Sequence, residues 1–460
     1  MKKTLLRVTA VLLSALLLTL SLASCANRGR TLMTLEKDGV KVTLSANVYE
    51  LMLSRGKGSL VANKSTINGA YATQDSFWSY TSKFGGDKVM TYDEYYRSLV
   101  LDNCKAYLAA MYLYEKNGLS LDAKSVEEVE TLMSDLLKEN GEGSKSKLNA
   151  VLSAYGVNYN ILKDVYLMQE KLEQLQVHLY GENASNVGTD VKDDYLKEHY
   201  LHFQQIFLPN TNFVYETDAF GDVIYYYTSG EYKDHIYYDT GNGVPGTNPD
   251  GTPMKDKYGD VIYFINNGRQ DKIAYNFSNG SPVKVMDGSS YKVEKMDTEE
   301  LELLRTRADS IYQSLKGNSR EQFEEKYQLI LDEYTVKDEA YGNMSYEDGY
   351  YIRKDLDYLA AGSAYSYLDT IVKSFATMED GDVILVESES GYHIIMKYAV
   401  ESGAYNNEVN TQWFSGFNDA LVEELFLELC KNYYADIRID EKVLAAAPIM
   451  KDVGANIVGY

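Results

Sequence analysis

One histidine stands out among the residues that could do chemistry. His393 sits in Gly391-Tyr392-His393-Ile394-Ile395, an apolar strand pattern that follows a second such run, Gly381-Asp382-Val383-Ile384-Leu385-Val386. An imidazole there can carry a proton or organise hydrogen bonds, although a lone histidine on an apolar strand is usually a satisfied core residue. His199 and His202 have a helical spacing compatible with a shared metal. No third ligand lies near them, so they are expected on the surface at a helix-to-strand junction. The units Asp218-Ala219-Phe220-Gly221-Asp222 and Asp256-Lys257-Tyr258-Gly259-Asp260 each offer two carboxylates. Calcium takes about six to eight oxygens, so a polar turn is the favoured reading. The chain has no Gly-x-Ser-x-Gly elbow, P-loop or paired-cysteine motif. No metal and no cofactor are therefore expected.

The N-terminus indicates where the chain works. Lys2, Lys3 and Arg7 precede an apolar run from Val8 to Leu22, and Leu22-Ala23-Ser24-Cys25 has the form of a lipobox. The expectation is a signal peptide over 1–24, cleavage before Cys25, lipid attachment to that thiol, and a tether over 25–44. An uncleaved anchor is the alternative. Localisation would be lipid-anchored on the extracytoplasmic face of the cell membrane. A formal net charge of −23 over 460 residues argues against nucleic acid as a partner and leaves membrane attachment to the lipid. The chain has 42 Tyr and only 6 Pro, a balance that favours ordered structure over a disordered stalk. Cys104 and Cys430 fall on apolar helix faces and read as two buried thiols, with a disulfide as the alternative.

The elements that must position a site follow from periodicity and caps. Thr91 and Glu94 form a capping box ahead of a stripe through Leu99, Val100, Cys104, Leu108, Met111 and Tyr112. A second box at Ser125 and Glu128 opens a helix through Val126, Val129, Leu132, Met133 and Leu136, and a third helix begins near Asn158. Val191 to Tyr200 reads as a short helix running into a strand, Leu201 to Pro209. Residues 211–296 are rich in Tyr, Gly, Asn and Asp and contain a repeat. Asp218 to Tyr226 recurs as Asp256 to Phe264, and Ile236 with Tyr238 recurs as Ile273 with Tyr275. Two β-hairpins separated by the turn-rich Thr240 to Thr252 are expected. Simple cross-strand packing accounts for their aromatic rows, with a surface for unfolded chains or glycans as the alternative. Helices resume with boxes at Asp297/Glu300 and Ser319/Gln322, and after Tyr405 an apolar stripe through Phe414, Phe417, Leu421, Leu425 and Leu429 ends in an extended tail from Ile437.

The closing pair of strands with its Gly-Tyr-His-Ile-Ile resembles the end of a parvulin-type peptidyl-prolyl isomerase. Gln205-Ile206-Phe207-Leu208 resembles the opening strand, with Gln205 where the family usually has histidine. Asp348-Gly349-Tyr350-Tyr351-Ile352 stands near the position of the family's acidic or thiol residue, and Tyr367 to Phe375 resembles the short helix that lines the proline pocket. The flanking helices are similar in layout to the SurA/PrsA-like foldases. This resemblance implies an α+β fold. A helical chaperone domain (45–200) would be completed by a returning segment (403–460), with a parvulin-like domain (201–210 and 297–402) inserted and itself carrying the hairpin insertion (211–296).

The resemblance further implies a site with His393, Gln205 and Tyr350 as its polar members and Phe375, Leu368 and Tyr392 against the substrate. Rotation about an X-Pro bond crosses a barrier near ~20 kcal/mol because the amide loses resonance. No covalent step is needed. The catalyst must grip the proline ring, exclude water and stabilise the twisted amide by hydrogen bonds. The expected function is a lipid-anchored foldase acting on newly secreted or unfolded polypeptides that contain X-Pro bonds. A parvulin-fold chaperone or scaffold whose catalysis has lapsed is the alternative, and a glycan-binding surface lipoprotein is a third.

Overall fold

The protein is seen here as a computed structural model that describes residues 29–62, 71–72, 74–84, 88–334, 348–358 and 366–447. Helices and sheets are mixed, and the described chain divides into two compact units. Unit 1 holds the residues up to Lys192 and those from Ser415 onward, and unit 2 runs from Asp193 to Phe414. The divisions therefore fall at 192/193 and 414/415 rather than at 200/201 and 402/403. Cys25 and the leader lie outside the described residues.

Unit 1 opens with β1 (Thr31–Lys37) and β2 (Val40–Ser45), an antiparallel hairpin. Its two-residue turn is Asp38-Gly39, with φ of 53° and 82°. Both signs are positive, the geometry that a right-twisted hairpin demands and that Asp-Gly supplies. Leu32, Met33 and Leu35 are buried, so the segment from Thr31 is core rather than tether. The helix α1 (Ala46–Ala62) follows and buries Tyr49, Leu51, Met52 and Leu53. After a small hairpin of β3 (Thr81–Phe84) and β4 (Lys88–Thr91) comes α2 (Tyr92–Lys116). Its capping box is reciprocal: Glu94 N–H donates to Thr91 Oγ1 at 3.1 Å, and Thr91 N–H donates to Glu94 Oε2 at 2.8 Å. Val100, Cys104, Tyr107, Leu108 and Met111 face the core, whereas Leu99 sits on the solvent flank of that stripe.

Next come α3 (Ala123–Gly141), α4 (Lys145–Leu152) and α5 (Tyr159–Tyr180). The cap of α3 is Asp122, not Ser125. Its carboxylate accepts from Ser125 N–H at 2.8 Å, one turn earlier than the expected box, and Val126 and Leu132 are accordingly exposed while Val129, Met133 and Leu136 are buried. Within this unit α1 and α2 are tied by charge. Lys57, wholly buried, pairs with Asp93, and Arg97 Nε donates to the other oxygen of the same carboxylate at 2.8 Å. The Trp78 ring covers the ammonium from 4.5 Å.

The helix α6 (Thr189–His199) leads into unit 2 and its central strand, β5 (Tyr200–Pro209). The neck of the insertion follows at once. There β6 (Thr211–Phe213) pairs with β13 (Val293–Lys295), the last strand after β7 (Tyr225–Tyr226), β8 (Gly243–Pro245), β9 (Tyr263–Ile265), β10 (Ser281–Pro282), β11 (Met286–Asp287) and β12 (Ser290–Tyr291). Beyond it α7 (Thr298–Leu315) and α8 (Arg320–Tyr334) precede β14 (Tyr350–Arg353), and α9 (Ser366–Phe375) precedes β15 (Val383–Ser388) and β16 (Gly391–Tyr398). The sheet is antiparallel throughout, in the order β14-β5-β16-β15. On one face Leu304, Ala308, Ile311 and Phe323 of α7 and α8 pack on Ile206, Leu208, Ile394 and Met396. On the other, Leu368, Ile371 and Phe375 of α9 pack on Leu201, Phe203, Val386 and Ile395.

The chain then re-enters unit 1 with α10 (Phe417–Lys431), β17 (Ile437–Ile439) and α11 (Glu441–Ala445). Phe426, Cys430 and Val443 join the same core as α2, and β17 pairs with β1 through Met33↔Ile439 and Leu35↔Ile437. The expected tail is thus the third strand of a sheet. Cys104 and Cys430 are both buried free thiols, with Cys104 Sγ at 3.5 Å from Met52 Sδ.

Each repeat of the insertion forms a hairpin of its own, 225–227 against 235–237 and 263–265 against 272–274, but the two are not separate. They interlock about a pseudo-two-fold relation. Strand β8 of the first repeat pairs with β9 of the second, and β10 of the second pairs with β7 of the first. The polar contacts are exchanged likewise. Tyr275 donates to Asp218 at 2.9 Å and Tyr238 to Asp256 at 3.1 Å; His235 bonds Asp260 at 2.7 Å and its counterpart Lys272 pairs with Asp222 at 3.0 Å. Tyr238 and Tyr275 themselves form the bridge at the centre. Hairpins this short are marginal alone, so each repeat adds a strand from the other. The close approach also explains Gly243 and its counterpart Gly280. A Cβ on Gly243 would lie 2.9 Å from Tyr263 Cβ, and one on Gly280 would lie 3.1 Å from Tyr225 Cβ. The repeated aspartates are committed within the turns: Asp218 Oδ1 accepts from the N–H groups of Phe220 and Asp222, and Asp256 Oδ1 accepts from those of Tyr258 and Asp260.

Two expectations for stability follow from these contacts. Asp93→Ala strands the buried Lys57 ammonium and should cost about 3–5 kcal/mol in urea unfolding. Lys57→Met leaves Asp93 with Arg97 and should cost clearly less; the reverse order would refute this account of the pair. In the insertion, Asp218→Ala and Asp256→Ala each remove a turn and a bond to the other repeat, and should cost about 2 kcal/mol apiece. Markedly unequal losses in thermal unfolding would speak against the reciprocal arrangement.

Candidate functional site

The period of two along β5 places Leu201, Phe203, Gln205 and Phe207 on the face covered by α9. Strand β16 lies beside it with His393 opposite Phe207 and Ile395 opposite Gln205, while β15 sets Val386 opposite His393 and Ser388 opposite Gly391. Gly391 has φ of 144°, and a Cβ there would stand 2.1 Å from Leu208 O, so only glycine lets β16 start this close to β5.

His393 is 1% exposed and held on every side. Its ring lies between Tyr367, 4.1 Å away at 7°, and Phe207, 4.7 Å away at 26°. Nδ1 is 3.0 Å from Gln205 Oε1 and Nε2 is 2.9 Å from Ser388 Oγ. An amide oxygen only accepts, so Nδ1 carries the proton and Nε2 accepts from the Ser388 hydroxyl. Burial pushes the imidazole down to about 3, and the ring is neutral across the physiological range. It is therefore a hydrogen-bonding wall rather than a proton donor. Gln205 is buried beside it, and its Nε2 meets no acceptor among the described residues.

Phe375 and Leu368, on the inner face of α9, share one core with Phe203 and Tyr350. Phe375 stands edge-on to Phe203 at 6.0 Å. Both side chains are almost wholly covered, so they form the floor of the site. Tyr350 stacks on Phe203 at 5.4 Å and lies 5.4 Å from Trp413. Its ring belongs to the apolar cluster, on the β14 side of β5, whereas the hydrogen-bonded chain runs on the β16 side.

Tyr392 does not join this group. It neighbours His393 in a strand, so its side chain emerges on the opposite face, against the core beneath α7 and α8. His202 is likewise buried rather than on the surface, with Nδ1 at 2.8 Å from Ala399 O, Nε2 at 2.9 Å from Asp348 O, and its ring stacked on Tyr351. Burial lowers its pKa, with the two carbonyls opposing.

Sequence reasoning missed Ser388, Tyr367 and Phe207. Ser388 is the half-buried end of the chain Ser388–His393–Gln205 and also accepts from Ser390 N–H at 3.2 Å. Strand alternation carried the signal for Phe207, two residues from Gln205. The serine could have been found only from the hairpin register. Chemically, the arrangement offers neutral hydrogen bonding beside an apolar floor, with no charged group among the residues that contact His393.

The chain matches no family model and no curated protein. Among solved structures it is similar to the crystal structure of PrsA from Bacillus subtilis at 12% identity, over 81% of this chain and 94% of that one, with a TM-score of 0.17. An overlap that slight carries no argument about function.

The buried imidazole has a consequence in acid. An unfolded histidine titrates near ~6.5, so the unfolded chain takes up a proton that the folded site refuses. The contribution of His393 is complete above that value and is lost as pH falls towards the folded value, by about 2 kcal/mol at pH 5. Urea unfolding at pH 7, 6 and 5 should show the decline, and His393→Gln should flatten it. Identical slopes for the two proteins would overturn the assignment.

Proposed function

We infer that unit 2 is a parvulin-type peptidyl-prolyl isomerase within a lipid-anchored, extracytoplasmic foldase. One observation carries the reading, namely the chain Ser388–His393–Gln205 laid across an antiparallel sheet beside an aromatic floor. Prolyl isomerisation asks for that combination. The transition state is a twisted, uncharged amide, so neutral donors and an apolar seat suffice. The unspent N–H of Gln205 is the donor left to meet the twisted carbonyl or the prolyl nitrogen, while the half-buried Ser388 hydroxyl, committed to His393, holds the other end of the chain. His393 fixes both without touching substrate.

The anchor is argued from the lipobox at Cys25. Among the described residues no helix is long and apolar enough to cross a membrane. The partners would be unfolded or newly secreted polypeptides containing X-Pro bonds.

A second reading has an observation of its own. Gln205 and His393 are buried, and Phe375 and Leu368 are nearly so, which suits a fold retained for binding after catalysis has lapsed.

Acceleration of cis-to-trans exchange in proline tetrapeptides, with the residue before proline varied, separates the two. The isomerase reading expects catalysis that falls roughly tenfold or more in Phe375→Ala and in Ser388→Ala, in the range of positioned hydrogen-bond and shape effects. No acceleration by folded protein with any residue before proline would remove the enzymatic reading and leave the binding module.

A further inference from the structure

Unit 1 contains a cavity of about 390 Å³ walled by α2, α5, α10 and the short turn Glu182–Ala184. That volume suits a bound side chain or a short stretch of peptide. Its floor is apolar, from Leu172, Val177, Phe426 and Leu427, with Val177 left 47% exposed. Every charged residue lining it is acidic: Glu173, Glu182, Asp419 and Glu423.

Two further features point to a ligand. The Oδ1 of Asn418 is buried in this wall and meets no donor among the described residues, an acceptor left without a partner where such groups are normally paired. The turn Glu182–Ala184 that lines the same cavity is strained. Asn183 and Ala184 hold successive positive φ values of 52° and 58°, conformations that cost non-glycine residues about 1–3 kcal/mol each and collect at binding sites.

We propose that this groove binds polypeptide segments in which apolar side chains alternate with lysine or arginine. The apolar residues would cover Leu172, Val177 and Phe426, the cations would meet the acidic rim, and a backbone N–H would satisfy Asn418. Charge selects this occupant over others. A second copy of this chain, at −23, or an anionic lipid surface would be repelled by the same rim. The foldase reading supplies the polypeptide nature of the ligand, while the site stands on unit 1 alone.

The test uses the soluble protein and two fluorescein-labelled peptides of equal length, one alternating Leu and Lys, the other Leu and Glu, read by anisotropy. The Leu/Lys peptide should bind at least tenfold more tightly, and more weakly as salt is raised. Glu173→Lys combined with Asp419→Lys, both exposed positions, should reverse the preference. Val177→Asn should weaken both peptides, and far-UV circular dichroism checks that the variants fold. Equal binding of the two peptides, no binding by the unaltered protein, or a preference untouched by charge reversal would overturn the proposal. Proline isomerisation on the same preparation reports on unit 2 separately, so failure of one reading is distinguishable from failure of the other.

Discussion

Burial of β5 on both faces is the constraint from which unit 2 is built. Tyr200 to Leu208 is buried without interruption, so its alternation no longer separates water from core but one core from another. Ile206 and Leu208 belong to the helical layer of α7 and α8, and Leu201 and Phe203 to the layer of α9. A slip of one residue would exchange the two sets and put Gln205 under α7. The pairing of Gln205 with Ile395, and of Phe207 with His393, is thereby fixed by packing along the whole strand. The polar chain at the site inherits its geometry from that register.

The same strand explains how the large insertion is tolerated. The chain leaves β5 at Asn210 and returns at Met296, whose N–H donates to Asn210 O at 3.1 Å. Between them β6 and β13 form a ladder from Thr211↔Lys295 to Val293↔Phe213. The ends of 85 intervening positions are thus closed by local bonds, and a long closed loop adds only a slowly growing entropy term. The insertion then satisfies its own backbone by exchanging strands between its repeats. The sheet beyond it needs no adjustment.

What could be read in the sequence was mostly local. The capping boxes at Thr91/Glu94 and Asp297/Glu300 depend on four residues each, and both form as their spacing indicates. The helix Ala46–Ala62 escaped notice because it is buried nearly all round, with Ser54, Arg55 and Lys57 among its covered side chains, and carries Gly56 and Gly58, so its sequence offers no amphipathic stripe. The strand Thr31–Lys37 escaped for a related reason, since Leu32 and Met33 bury adjacent side chains on opposite faces. The repeat in the insertion was visible as similarity, but its exchange was not. Which copy supplies a strand's partner is a non-local choice. At the site, the pattern pointed to His393 and Gln205, whereas Ser388 and Tyr367 come from other elements and meet the imidazole only through tertiary register. Tyr392 was assigned against the period of two, and the strand placed it on the far face.

The acidity and the tyrosine content belong together. With 68 acidic and 45 basic side chains, the protein cannot pair every carboxylate with a cation. Phenols take up part of the shortfall. Tyr226 donates to Glu216 at 2.6 Å, Tyr112 to Asp38 at 2.9 Å and Tyr398 to Glu324 at 3.2 Å, alongside the two exchanged pairs of the insertion. A phenol satisfies a carboxylate without cancelling its charge, and it brings a rigid apolar ring at small conformational cost. Burial, reinforced by the neighbouring carboxylate, holds Tyr226, Tyr238 and Tyr275 in their protonated, donating form. The molecule therefore folds while keeping its negative field, which ion pairing with lysine and arginine would have quenched. A surface of that kind repels acidic chains, its own copies included, and attracts basic ones.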